Sequence, residues 1–579
     1  MATDVDLPKR QMTPVSVPVS APVLPISVPQ KRPLEDDHAP PVSSPLNPNP
    51  DVKPSKTQSH DDSAVMAREK PARNKKDTLK KRESKAGVGA DSSRATPDPK
   101  VKELPPNESS PLRYKLAPPK PSDFETARGP IFTPHHEVPA LDGSTIQFYE
   151  TSEHVYNKKS FHYLHCIADP AFPSSFYYRQ TEPEPYGAHI SFEDAATHMY
   201  MDQSGRHITT DKGFRTARAN VAVRQGRWYW ECKITRGTIK SSADGSVESH
   251  GHVRMGFARR EASLDAPVGF DAYSYGIRDV QGQKVHMSRP KDFFPPGEEI
   301  KEGDVIGLEI QLPSEHLHRK VVQGQYNPAV DLTDEEEPTA EAANIVRDRI
   351  PIRFKQHIYL EKIDYHTTKE LEDLMNPSPA GPSGTIGSRP GDKPNPNHQV
   401  PALRTLPNSC IKVYKNGVLM GTPFTDLLAF LPPASKPQAQ VGAREGMDDG
   451  MAGYYPAISV FRGGAAEVNF GPQFWYPPPG LLDADGDVEM VDVDTDTVRV
   501  ATTTTTAPKS KLDKVRPVAE RYDEQVVEDV VADVVDEVDF WMQDGARVID
   551  RTGGRDAKAD TTAGIAPARE EIKELVQDD

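Results

Sequence analysis

One stretch of the chain, from Gly213 to Leu312, limits the possible folds more than any other. Apolar and aromatic residues alternate with polar ones along it, and glycines separate the runs. A period of two is typical of half-buried strands joined by tight turns. We therefore predict a mainly β domain whose inward-facing core comes from alternate residues, namely Trp228, Trp230, Ile234, Met255, Phe257, Ile306, Leu308 and Ile310.

Three motifs in this stretch have the order of a known interaction module. They are GRWYWE at 226–231, RMGF at 254–257 and EGDVIGL at 302–308. Together they resemble an SPRY domain, and the resemblance implies an antiparallel β-sandwich. Later segments continue the strand pattern at 352–362, 410–428 and 454–479, with Asn416-Gly417 as a hairpin turn.

Composition separates this domain from the rest of the chain. The sequence has 57 prolines in 579 residues and a hydrophobic share of only 36%, so much of it cannot bury enough apolar surface to offset the entropy of ordering. We predict disorder in a basic Pro/Ser-rich arm (1–118), an acidic and Thr-rich linker (481–515) and a tail (546–579). The SPRY domain with its lead-in segment is predicted at 119–480, with insertions at about 237–251, 313–350, 376–400 and 432–451.

A basic cluster in the N-terminal arm has the composition of a nuclear localisation signal. Its core contains Lys75, Lys76, Lys80, Lys81 and Arg82. Such a cluster also suits nonspecific contact with the phosphates of nucleosomal DNA, or it is only a solvated linker. Nuclear import is the better of the two functional interpretations.

A second periodic segment follows the linker and predicts an amphipathic helix within 516–545. Valines recur there every four residues in two adjacent rows, Val526, Val530, Val534 and Val538 beside Val527, Val531 and Val535. This repeat gives one broad apolar face and one acidic face. The apolar face is predicted to dock into a partner's groove, with packing against the sandwich as the alternative. The acidic face argues against a membrane surface, and no apolar run approaches the ~20 residues of a transmembrane helix.

The sequence does not contain the usual catalytic or metal-binding motifs. There is no GxSxG, HExxH or phosphate-binding glycine loop, and the three cysteines are far apart. The pair His135-His136 has no cysteine or acid cluster near it in sequence. We therefore expect neither an enzyme, nor a bound metal, nor a cofactor.

Two arginines stand out as candidate binding residues. Arg254 begins the RMGF motif, Arg278 follows an aromatic run, and Pro267 and Phe270 lie between them. Guanidinium groups beside proline and aromatic side chains suit a shallow pocket for an acidic peptide, because each can pair with a carboxylate through two hydrogen bonds. The alternative is that both are ordinary solvent-facing arginines near a sheet edge.

Two longer segments narrow the resemblance to one family. They are APVGFDAYSYGIRD at 266–279 and YYPAISVFRGGAAEVNFGP at 454–472, and they resemble the Ash-two/Bre-two family. The resemblance implies a non-catalytic subunit of COMPASS-type complexes, which methylate lysine four of histone H3. It also implies that a pocket of Arg254, Pro267, Phe270 and Arg278, with Phe214 nearby, takes an acidic segment of a WD-repeat subunit. The valine-rich helix would bind a Dpy-thirty-like dimer.

The chain departs from the metazoan family pattern in ways that bear on these expectations. Phe214 and Phe270 stand where tyrosine is usual, which removes two hydroxyl groups from the pocket. No N-terminal zinc finger or winged helix is found, and the arm and insertions look fungal. We expect a nuclear scaffold that stimulates a separate SET-domain methyltransferase, with S-adenosylmethionine bound by that partner. The rival hypothesis is a substrate adaptor of a ubiquitin ligase.

Overall fold

The computed structural model describes residues 113–115, 119–125, 129–152, 154–157, 161–170, 178–239, 249–331, 345–355, 357–376, 393–437, 446–482, 514–542 and 548–550. These contain 25 strands, four α-helices and three short 3-10 segments. The helices are α1 (Glu315–Gln323), α2 (Lys369–Met375), α3 (Pro479–Leu482) and α4 (Ala519–Met542). The 3-10 segments are Pro121–Phe124, Val280–Gly282 and Pro401–Leu403.

The strands of the N-terminal half are β1 (Arg113–Lys115), β2 (Ile131–Pro139), β3 (Thr145–Ser152), β4 (Phe161–Ala168), β5 (Tyr178–Gln180), β6 (Ile190–Ala195), β7 (Tyr200–Met201), β8 (His207–Thr209), β9 (Arg215–Ala219), β10 (Gly226–Arg236), β11 (His252–Ala258), β12 (Ser274–Arg278), β13 (Lys284–His286) and β14 (Arg289–Lys291). Those that follow are β15 (Val305–Leu312), β16 (Pro351–Phe354), β17 (His357–Ile363), β18 (Tyr365–His366), β19 (Cys410–Lys415), β20 (Val418–Thr425), β21 (Lys436–Pro437), β22 (Tyr455–Phe461), β23 (Ala465–Asn469), β24 (Val515–Pro517) and β25 (Val548–Asp550).

Two large sheets form the body. The ten-stranded sheet has the order β2-β3-β7-β8-β23-β10-β15-β19-β20, with β24 paired to β10, and the seven-stranded sheet has the order β14-β13-β12-β11-β22-β9-β6. All eight predicted core residues are buried in one cluster that draws on both sheets. Trp230 of the first sheet meets Phe257 of the second edge to face, with ring centroids 6.3 Å apart. The predicted antiparallel β-sandwich is therefore confirmed.

Glycine sets the spacing between β11 and β12. Gly256 lies opposite Gly276 in the antiparallel pair, and a Cβ on Gly256 would come within 1.9 Å of the Tyr275 carbonyl oxygen. Real Cβ atoms do not approach a carbonyl so closely, so only glycine permits this contact. The same register places Arg254 opposite Arg278.

The strand β10 is covered on both faces, which alternation alone does not predict. Trp228 and Trp230 face the core, yet Tyr229 and Glu231 between them are also buried. The carboxylate of Glu231 accepts hydrogen bonds from the backbone amides of Trp475 and Tyr476 at 2.7 Å each. The chain after β23 thus covers the outer face, and β24 pairs with β10 in parallel at 227–229.

Parts of two predicted insertions belong to the folded body, which corrects the prediction for those parts. The segment 313–350 contains α1, capped by the Ser314 hydroxyl, with Leu317, Val321 and Val322 buried against the core. The spacing of these apolar residues and the glycine that ends the helix, Gly324 (φ +75°), were available in the sequence. The segment 432–451 contributes β21 and the buried Asp448.

A smaller four-stranded sheet lies beside the sandwich. Its order is β16-β17-β4-β5, so the lead-in segment pairs with residues that follow the 313–350 segment. Its apolar side chains form two small clusters of their own, around Tyr163 and around Cys166. Among the described residues, no helix has the length and apolar character needed to cross a membrane.

Candidate functional sites

The predicted pocket arginines lie in one row of side chains. Arg254 on β11 is opposite both Arg278 on β12 and Ser459 on β22, and Ser459 is opposite Thr216 on β9. Directly opposed residues point to the same face of a sheet. Since Met255, the next residue after Arg254, points into the core, this row lies on the outer face of the seven-stranded sheet.

The loop that carries Pro267 and Phe270 is bonded to the same row. The backbone amide of Val268 donates to the Ser459 hydroxyl at 3.1 Å, and the Thr216 hydroxyl donates to the Ala266 carbonyl at 2.6 Å. Phe270 is 43% exposed at the end of this loop. The structure therefore gathers the loop and both arginines on one face.

Phe214 holds one of the arginines in place. The guanidinium carbon of Arg254 lies 4.6 Å from the centroid of the Phe214 ring, a cation–π distance. The Phe214 ring in turn packs on Phe461, with centroids 4.7 Å apart. Phe214 thus contacts Arg254 through its ring alone, with no hydroxyl group in the contact.

The two guanidinium groups face each other without a neutralising partner. Neither Arg254 nor Arg278 pairs with a carboxylate in the described part of the chain, and the Nε atom of Arg278 is buried without a hydrogen-bond partner. Burial, and then the charge of Arg278, lower the pKa of Arg254 to about 10, while Asp279 opposes this. The Asp279 carboxylate is already bonded to His252 and to the Val253 amide. An anion from outside would relieve the repulsion.

The helix α4 lies on the body with its acidic face inward. Arg349 bonds to Asp533 at 2.6 Å and approaches Asp536 at 3.3 Å. Further pairs join Arg347 to Asp529 at 2.5 Å and Arg179 to Glu537 at 3.3 Å. We call Arg179, Arg347 and Arg349 the arginine cluster. This cluster was not predicted from the sequence. The available signal was the opposite charge of Arg347 and Arg349, which flank Asp348, and of the acidic helix.

The start of α4 is fixed by the sandwich itself. The amides of Val518 and Ala519 donate to the carbonyls of Tyr229 and Phe470 at 3.1 and 2.9 Å. The buried Arg521 donates to the Ala222 carbonyl at 2.9 Å. The helix is therefore continuous with the core at its first turn.

The valine face of α4 points away from the body. All seven predicted valines are 36% to 62% exposed, namely Val526, Val527, Val530, Val531, Val534, Val535 and Val538. The helix thus packs against the body, as the alternative interpretation held, but through its acids and not its valines. An exposed apolar stripe of this kind marks an interaction surface.

Comparison with known proteins identifies relatives of the chain. No protein-family model matches the chain. A "COMPASS component cclA" of Colletotrichum higginsianum is 65% identical over the full length of both chains. The chain belongs to the Ash-two/Bre-two family of COMPASS components. The "Set1 complex component ash2" of Schizosaccharomyces pombe is 38% identical over 74% of this chain and 52% of its own. "COMPASS component BRE2" of Saccharomyces cerevisiae is 24% identical over 75% of this chain and 98% of its own length.

The predicted nuclear localisation residues of this Ash-two/Bre-two chain stay a prediction. Lys75, Lys76, Lys80, Lys81 and Arg82 lie outside the described residues. The pair His135-His136 lies on β2, where the ring of His135 stacks on Tyr200 at 3.9 Å.

Sequence reasoning also missed a buried polar group in the Ash-two/Bre-two chain. His154, which follows β3, and His165 on β4 both place Nε2 at one oxygen of Glu193 on β6, at 2.7 and 3.0 Å. The ligand atoms of the three residues lie within 4.8 Å of one another. No local sequence signal links them, because they are separated by eleven and twenty-eight positions.

A polar cavity adjoins this group. His165, Glu193, Glu182 and Gln525 of α4 line it. Burial, and then the nearby Glu193 and Asp529, raise the pKa of Glu182 to about 8. The cavity thus joins the small sheet, the sandwich and α4, and four acidic residues line it, namely Glu182, Glu184, Glu193 and Asp194.

Proposed function

We propose that this protein is a non-catalytic scaffold subunit of a COMPASS-type complex that methylates lysine four of histone H3. Its sandwich would bind a WD-repeat subunit and its C-terminal helix a Dpy-thirty-like dimer, so that the SET-domain enzyme is held in an active arrangement. S-adenosylmethionine would be bound by that enzyme. The observation that carries the proposal is α4, because it lies on the body through its acids while its valines are exposed.

The pocket on the seven-stranded sheet would receive an acidic peptide. Arg254 and Arg278 lack acidic partners among the described residues, and Phe214 holds Arg254 in position. A carboxylate placed between two guanidinium groups forms short, charge-assisted hydrogen bonds. The exposed ring of Phe270 adds apolar contact area beside them.

The valine face would receive an apolar groove of the Dpy-thirty-like dimer. Burying what remains exposed of each valine contributes on the order of 1 kcal/mol. A free valine-rich helix would lose much of this to ordering. The arginine cluster lowers this ordering cost, because it keeps the segment helical before a partner binds.

Purification of the tagged protein with its partners tests the assignment. Recovery of a SET-domain protein, a WD-repeat protein and a small Dpy-thirty-like protein supports the scaffold. Recovery of cullin components without a SET-domain protein would support the ubiquitin-ligase adaptor in its place.

The change Arg254→Ala tests the pocket. Loss of the guanidinium should weaken binding of the acidic WD-subunit peptide by about 2 kcal/mol, the cost typical of losing one member of a charged interface pair. Calorimetry measures this, and Arg206→Ala, at an exposed turn, is the matched control. Equal affinities for the wild type and Arg254→Ala would remove this residue from the site.

The double change Val530→Asp with Val534→Asp tests the helix. It places two charges in the middle of the apolar face, where burial without a partner is prohibitive. We expect the small dimer to be lost in a pull-down while the WD-repeat subunit is retained. Val330→Asp with Val418→Asp, two exposed valines elsewhere, is the control. Loss of the WD-repeat subunit with retention of the dimer would mean that the two docking sites are assigned the wrong way round.

The basic cluster at 68–85 is proposed to direct nuclear import, with nonspecific DNA contact as a second use. Deletion of this segment should move a fluorescent fusion to the cytoplasm. A fusion that remains nuclear in cells without its partners would show that import does not depend on the cluster.

A further inference from the structure

The buried carboxylate of Glu193 has an unusual set of partners. Its Oε1 atom meets Nε2 of His154 and Nε2 of His165, and its Oε2 atom accepts from the Ser191 hydroxyl at 3.0 Å. No lysine or arginine of the described chain pairs with it. Its neighbour Asp194 contrasts with it, because Arg218 holds that carboxylate with two bonds at 2.6 and 2.7 Å.

A buried carboxylate needs a compensating positive charge, and neutral imidazoles supply hydrogen bonds but no charge. Glu182 lines the same cavity and also lacks a lysine or arginine partner among the described residues. The charge of the Glu193 carboxylate is therefore left without a lysine or arginine of the described segments to offset it. Either a protonated imidazole or a bound cation can offset it.

The geometry of the three side chains favours a cation. Both imidazoles direct the same nitrogen toward the same carboxylate oxygen, and all three atoms lie within 4.8 Å of one another. His154 is 2% and His165 7% exposed. Two imidazole nitrogens and one carboxylate oxygen form a common three-residue ligand set for zinc, which leaves a fourth position for water.

The cavity beside Glu193 contains polar atoms that lack partners. The Nδ2 atom of Asn157, the Oγ1 atom of Thr181 and the Nε2 atom of His162 are buried without hydrogen bonds, and all three residues line the cavity. The backbone amide of Asn157 donates to the Glu193 carbonyl, and that of Thr181 to the His165 carbonyl, each at 2.9 Å. Ordered water in this cavity would supply the partners that such side chains require.

We propose that His154, His165 and Glu193 bind one divalent transition-metal ion, with zinc as the best match to the ligand set. Each imidazole binds the ion through Nε2 and carries its one proton on Nδ1, and the ion offsets the charge of the Glu193 carboxylate. It joins the segment after β3 and the small sheet to β6 of the sandwich. Because β5 of that sheet carries Arg179 and Gln180, which contact Glu537 and Asp529 of α4, the ion also stabilises the surface on which the helix lies.

Metal analysis of the full chain tests this. The protein is produced without a histidine tag in zinc-supplemented medium, purified without chelators and measured by plasma mass spectrometry. We expect about one transition-metal ion per chain. After removal of the ion with a chelator, zinc titrated back should raise the melting temperature by several degrees, and it should bind more weakly below pH 6, since protons compete for imidazole.

Variants locate the ion. Glu193→Gln keeps the size and a hydrogen-bond acceptor but removes the charge, so it should lose zinc affinity by at least about 100-fold, as should His165→Ala. His250→Ala is the control, since His250 also pairs with a glutamate, Glu302 at 2.6 Å, but at the surface. Circular dichroism and melting curves check that each variant is folded.

Two results would overturn the proposal. A folded wild-type protein that retains no transition metal and binds none at micromolar zinc would show that His154, His165 and Glu193 are joined by hydrogen bonds alone. Stoichiometric binding that survives both Glu193→Gln and His165→Ala would place the ion elsewhere in the chain. If His165→Ala fails to fold, the metal content of the wild type and the affinity of Glu193→Gln decide between the outcomes.

Discussion

Removal of Arg349 should detach the second half of α4 from the body without unfolding the sandwich. The side chain of Arg349 is 3% exposed, and those of Asp533 and Asp536 are 10% and 6% exposed. The change Arg349→Ala would leave two carboxylates buried without their shared cation. The first turn of the helix would keep its bonds to the sandwich through Arg521.

The expected magnitude follows from the burial of all three groups. Breaking a buried ion pair by removing one partner costs about 3–5 kcal/mol. Because every 1.4 kcal/mol is tenfold, the equilibrium between the docked and released helix should shift by roughly two to three powers of ten. Salt should change this little, since buried pairs are screened weakly.

Hydrogen exchange with mass spectrometry measures the effect. Amides at 529–542 should exchange faster in Arg349→Ala, while those of β10 and β15 should keep their wild-type protection. Arg319→Ala is the matched control, since Arg319 pairs with Glu315 at 3.4 Å and both are about a quarter exposed. Such a pair contributes about 0.5 kcal/mol or less. Unchanged protection at 529–542 would refute the role of the arginine cluster, and equal loss of protection in all strands would show global destabilisation instead.

Two further changes test the body of the protein. Gly256→Ala places a Cβ 1.9 Å from the Tyr275 carbonyl oxygen, so β11 and β12 must separate. We expect insoluble protein or a melting temperature lowered by many degrees. A melting temperature near that of the wild type would show that this register is not required. Burial lowers the pKa of His286 to about 4, against the opposing bond to the Ser274 carbonyl. In the unfolded chain a histidine has a pKa of about 6.5, so between pH 6.5 and 4 the unfolded chain binds more protons than the folded protein. The free energy of unfolding therefore decreases by about 3 kcal/mol as the pH is lowered from 6.5 to 4. In urea titrations His286→Asn should lose much of that slope, and an unchanged slope would assign it to other groups.

The proposed pocket shows how far local patterns reach. The motifs around Arg254 and Arg278 identified both residues because each motif is contiguous in sequence. Their direct opposition required the pairing of β11 with β12, which the two glycines permit. Phe214 directly precedes β9, and it contacts Arg254 because β9 pairs with β22 in the same sheet. No periodicity of the sequence predicts that pairing.

The sequence by itself determined the main strands and core residues of the sandwich and the two faces of α4, because a period of two or four is a local property of the backbone. The tertiary structure alone decided which face of α4 is inward. An apolar stripe normally packs against the core, but here Arg179 and Arg349, which are distant from the helix in sequence, pair with its acids. The convergence of His154, His165 and Glu193 has the same physical reason, since buried polar groups find partners through folding of separate strands and not through spacing along the chain.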